Sequence, residues 1–64
     1  MMDFKEMNVL GRKFRYRLEL QGDYYARIER YYNDKWTFVA LIKGWHNKQS
    51  IGEWLVRYRA NYFT

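Results

Sequence analysis

Between Phe14 and Leu20 apolar and charged residues alternate without exception. Phe14, Tyr16, Leu18 and Leu20 interleave with Arg15, Arg17 and Glu19. A period of two sends successive side chains to opposite faces of a pleated strand. This segment is therefore predicted to be a strand with one apolar and one charged face. A chain that contains such a strand needs further strands to pair with it and a layer to cover its apolar face. Gln21-Gly22-Asp23 follows as a turn, with glycine available for positive φ.

The next segment, Tyr24 to Tyr32, fits two patterns. As a helix capped by Asp23, it places Tyr24, Tyr25, Ile28, Tyr31 and Tyr32 on one arc. As a strand folding back through the three-residue turn, it sets Leu18 opposite Ala26, Tyr16 opposite Ile28, and Arg17 opposite Arg27. The strand is the expectation. Four tyrosines suit a sheet, and this register keeps apolar residues on one face and charged residues on the other. Asn33-Asp34-Lys35 then reads as a turn and Trp36 to Lys43 as a third strand. The run Phe38-Val39-Ala40-Leu41-Ile42 is apolar on both faces, which asks for a covered position although a meander puts this strand at an edge.

Both ends read as helical. Asp3 to Gly11 fits a short helix capped by Asp3 with Glu6 three residues on, Phe4, Met7 and Leu10 sharing a face, and Gly11 at the stop. Gly44 to Gln49 is a loop carrying Trp45 and His46. Ser50 and Glu53 make an S-x-x-E capping box for a helix Ile51–Phe63. Its apolar arc comprises Ile51, Trp54, Leu55, Tyr58 and Tyr62, with Trp54 as the expected core anchor. Glu53 and Arg57 form an i,i+4 pair, and Gly52 costs the helix up to ~1 kcal/mol relative to alanine. The expected fold is α+β: residues 1–64 as one small domain, a three-stranded antiparallel β-meander packed against a C-terminal α-helix, with a short N-terminal helix.

The inventory argues against catalysis. One histidine, one serine and no cysteine leave no nucleophile with a base, no metal cluster and no phosphate loop. No cofactor is expected. Acids such as Glu19 and Glu29 lie among arginines and read as salt-bridge partners. No apolar run is long enough to span a membrane, and the charged N-terminus lacks the apolar stretch of a secretory signal. A cytoplasmic location is the expectation.

The functional expectation is binding. The net charge is +5, and Arg12-Lys13-Phe14-Arg15-Tyr16-Arg17 concentrates four cations in six residues. One reading is a solvated strand face kept charged against aggregation. The other is a nucleic-acid surface on the outer sheet face, formed by Arg12, Lys13, Arg15, Arg17, Tyr25, Arg27, Tyr31 and Lys43. Arginines there offer forked donors to phosphates, and tyrosines offer stacking platforms. The alternative is a protein-binding inhibitor or adaptor, because tyrosine, tryptophan and arginine dominate interface hot spots. So small a basic chain suits a phage or mobile-element protein that blocks a host factor.

Overall fold

A computed structural model describes residues 3–62, with side chains described through Tyr58. The order is β1 (Lys5–Val9), β2 (Arg12–Gln21), β3 (Asp23–Tyr32), β4 (Lys35–Lys43) and α1 (Lys48–Tyr62). The four strands form one antiparallel sheet in the order β1-β2-β3-β4. The α+β architecture and the C-terminal helix are as expected, but the meander has four strands, not three.

The extra strand replaces the expected N-terminal helix. Leu10 and Gly11 both take left-handed φ, 52° and 77°. Positive φ at both central residues makes a two-residue type I′ hairpin turn, whose twist matches that of the flanking strands. Val9 and Arg12 therefore face each other, and Met7 pairs with Phe14. Met7 and Val9 turn inward at period two, while Leu10 is left exposed at the turn. The spacing of Phe4, Met7 and Leu10 imitated a helical face. The tip of β3–β4 is built in the same way, with Asn33 at φ 52° and Asp34 at φ 61°.

Tyr24–Tyr32 is a strand, in the expected register: Leu18 opposite Ala26, Tyr16 opposite Ile28, Arg17 opposite Arg27. β4 resolves the puzzle of its two apolar faces through a bulge. Ile28 pairs with Ala40 but Glu29 with Phe38, so Val39 is the extra residue. A bulge flips the phase of a strand. Ala40 and Ile42 therefore share the face of Ile28, whereas Trp36, Phe38, Leu41 and Lys43 share the face of Arg27 and Glu29. β4 is indeed an edge strand. The bulge and the lysines at its two ends are devices that discourage edge-to-edge pairing.

Gly44 donates to the Tyr24 carbonyl at 2.7 Å and closes the sheet before α1. The helix starts three residues earlier than expected. Asn47 is its cap: its side-chain oxygen accepts from the Ser50 amide at 2.9 Å, and Ser50 Oγ accepts from the Asn47 amide at 3.0 Å. This is the reciprocal logic of a capping box, with Ser50 in the answering role and Glu53 outside it. Asparagine caps as well as serine does, and Asn47 stands at the start of α1 with Ser50 three residues on to answer it. Phe63 and the Tyr62 side chain lie outside the described residues.

The helix packs on the inner sheet face. Phe14, Ile28, Ile51 and Leu55 are essentially fully buried, joined by Val9, Tyr16 and Ala26. Trp54 is half-buried and stacks on Tyr58, ring centroids 5.3 Å apart, so Leu55 anchors the helix more deeply than the expected Trp54. Leu55→Ala should cost about 2–5 kcal/mol. A domain of this size is stable by only ~3–5 kcal/mol, so chemical denaturation should find the variant largely unfolded. Gly52 predicts the opposite sign. A Cβ there would sit 3.4 Å from the flexible end of Met7, an ordinary contact. Gly52→Ala should therefore raise stability by about 0.5–1 kcal/mol through helix propensity, read as a higher melting temperature.

Candidate functional site

The register that buries Phe14, Tyr16, Ala26 and Ile28 fixes the composition of the opposite face. Lys13, Arg15, Arg17 and Glu19 come from β2, Tyr25, Arg27, Glu29 and Tyr31 from β3, and Trp36, Phe38, Leu41 and Lys43 from β4. Seven of the eight residues expected at a nucleic-acid surface share this outer face. Arg12 does not: it pairs with Val9, a core residue, and so belongs to the helix side.

At the centre of the face is Glu29, which retains only 8% of its exposure. Arg15 Nε donates to one of its carboxylate oxygens at 2.7 Å and Arg27 Nε to the other at 3.2 Å. Arg17 donates to Glu19 at 3.0 Å, and Gln21 donates to the second Glu19 oxygen at 3.0 Å. Aromatic rings hold the guanidinium groups from the side. Arg15 lies between Phe4 and Trp36, 4.0 and 4.4 Å from the ring centroids, and Arg17 also lies against Phe4 at 4.6 Å. Arg27 covers Phe38 at 5.0 Å. Such cation–π contacts contribute roughly 0.5–2 kcal/mol each, more as water is excluded. Tyr31 meets Trp36 edge-on at 5.3 Å and carries the Lys13 ammonium above its ring.

The result is an arginine–aromatic lattice pinned by carboxylates. Phe4, Trp36 and Phe38 were absent from the expected set. For Phe38 the signal was the doubly apolar run on β4, which a bulge explains; Phe4 lies just before β1, which read as a helix. Charge on the face is nearly balanced. Five cations (Lys13, Arg15, Arg17, Arg27, Lys43) meet four acids (Glu6, Glu19, Asp23, Glu29), and Lys43 pairs with Asp23 at 3.4 Å. The Arg17 Nε is buried without a hydrogen-bond partner among the described residues. Phe38 remains 53% exposed, and Tyr31 and Leu41 are also exposed. Beside Phe4 the face runs into a cleft of about 560 Å³ walled by Tyr16, Arg17, Leu18 and Trp45.

His46 is tied locally, with Nδ1 3.2 Å from Ser50 Oγ. Among the described residues no three histidine, cysteine or acidic side chains gather into a metal-sized group. No described helix is long and apolar enough to cross a membrane.

Burial pushes the Glu29 carboxyl up, but the hydrogen bonds and charges of Arg15 and Arg27 outweigh it and hold the group below its ordinary value. A carboxyl depressed in the folded state contributes stability that is complete above its unfolded value, about 4.3, and is lost as pH falls through the folded one. Glu29→Gln should cost about 1.5–3 kcal/mol at neutral pH, the range for hydrogen bonds to charged groups. The gap between variant and wild type should close as pH falls below about 4.3, measured by denaturant titration at a series of pH values.

Comparison with known protein families, with curated proteins and with solved structures finds no match to this chain.

Proposed function

We propose that this chain is a non-catalytic protein-binding module that docks a partner through the outer sheet face. The supporting observation is that the face's arginines are already neutralised and held in place before any partner arrives. Arg15 and Arg27 share Glu29, Arg17 holds Glu19, and all three stack on aromatic rings. Preorganised side chains surrender little rotamer entropy on binding. A surface of arginine, tyrosine, tryptophan and exposed phenylalanine has the composition of an interface centre. The cleft beside Phe4 is of a size to accept an anchoring side chain.

Duplex binding through the same face draws less support. Phosphate contacts need cations whose charge is not spent on neighbours, and Glu29 stays ionised in the middle of the arginines.

Phe38→Ala and Tyr31→Ala are suitable probes, because both rings are exposed and outside the core. In pull-downs from nuclease-treated lysate, the wild type should retain a protein that both variants lose. Binding of that protein should weaken by about 2 kcal/mol or more, roughly thirtyfold, with mild salt dependence. Duplex or single-stranded DNA bound more tightly than ~100 μM, with log K falling about four units per log unit of salt, would reject this reading in favour of nucleic acid.

A further inference from the structure

Most of the chain's excess positive charge lies away from the centre of the outer face, and part of it gathers where the sheet forks. The β2–β3 ladder ends at Phe14 and Arg30, although β2 begins at Arg12 and β3 runs to Tyr32. Beyond that point each strand keeps only its other neighbour. Arg12 and Lys13 stay paired with Val9 and Asn8 of β1, and Tyr31 and Tyr32 with Trp36 and Lys35 of β4. The two hairpin tips therefore part, and a notch opens between them, lined by Arg12, Lys13, Phe14, Arg30, Tyr31 and Tyr32.

Three cations line this notch, and among the described residues no acidic side chain does. Glu6 approaches Lys13 at 3.9 Å, but both side chains are more than half exposed, and such pairs are weak. The Arg30 guanidinium lies 4.4 Å from the Tyr32 ring centroid. The enclosed space is about 10 Å³, near the size that holds one water-sized atom. It therefore admits one oxygen of a ligand and excludes a ring.

We propose that this fork is a binding site for a phosphate monoester. A carboxylate or a backbone phosphodiester brings one negative charge. A monoester brings close to two, with three strong acceptor oxygens, and so suits a notch flanked by two guanidinium groups from the helix side of the sheet and an ammonium from the outer side. Lys13 and Tyr31 belong to both the notch and the outer face, so a phosphorylated side chain on a partner docked there reaches the fork. Only this source of the phosphate rests on the partner-binding reading; the site itself does not.

Titration with sodium phosphate, against sodium chloride at equal ionic strength, tests the site by amide chemical shifts. Saturable shifts should appear at Lys13, Phe14, Tyr31 and Tyr32 with a roughly millimolar constant. Arg12→Gln, at an exposed side chain, should weaken binding about tenfold. Arg30→Lys, which keeps the charge and loses the fork, should also weaken it. Lys48→Gln, on α1 and outside the notch lining, should change nothing. Shifts no larger than those from chloride, or equal weakening by Lys48→Gln, would overturn the site. A serine-phosphorylated peptide should bind better than its unphosphorylated form, and by a larger factor than a 5′-phosphate adds to an oligonucleotide. The reverse order would overturn the protein source. Phosphate binding that persists where no partner is captured through Phe38 separates failure of the outer-face reading from failure of this one.

Discussion

Tyr16 sits opposite Ile28 and Leu18 opposite Ala26, and the rest of the molecule follows from that register. Because side chains alternate with a strict period of two, a slip of one residue would turn one strand over relative to the other. With β2 held in place, Ile28 would then meet solvent, and Arg27 and Glu29 would be driven under α1. Burying unpaired charges in a core this small would exceed its whole stability. The helix docks where Ile51 and Leu55 find the apolar face, and the outer lattice assembles where the same register brings Arg15 and Arg27 to the two sides of Glu29.

That lattice solves a problem that the core creates. A thin domain covered on one side by a single helix leaves the other side of the sheet facing water with wide aromatic residues on it. Stacking guanidinium groups over Phe4, Trp36 and Phe38 covers those rings with side chains that keep a polar edge outward. Glu29 and Glu19 prevent the arginines from repelling one another. Desolvation works against Glu29, but two donors from arginine repay it. The arrangement gives rigidity with little net field, which suits contact recognition better than long-range attraction of a polyanion.

Much of this was legible in the sequence, and the failures have physical causes. Alternation from Phe14 to Leu20 constrains a strand fully, and pairing through Gly22 allows one register that keeps the faces consistent. β1 was hidden because its turn is Leu10-Gly11. A leucine in left-handed conformation costs roughly 1–2 kcal/mol, so the turn lacks the Asn-Gly signature that marks such hairpins. The helix start was misplaced because Asn47 and Ser50 are spaced as cap and partner, just as Ser50 and Glu53 are. Glu29 read as a salt-bridge partner among arginines, and it is one, but its place at the centre of the face was not legible. Its burial depends on Trp36 and Phe38 arriving from β4, and their orientation depends on a bulge at Val39 that no residue type announces.

A net charge of +5 spread evenly over so small a surface would attract any polyanion weakly and discriminate little. Here the sheet divides it. The centre of the outer face is almost neutral, because each central arginine has a carboxylate within hydrogen-bonding distance. The fork at its end gathers Arg12, Lys13 and Arg30, with no acidic side chain among the described residues of its lining. The two regions meet at Lys13 and Tyr31, so a ligand that spans them meets a contact surface first and a concentrated charge at its edge. Placing the charge at the rim leaves the aromatic centre free of unpaired ions, whose desolvation would otherwise oppose every contact made there.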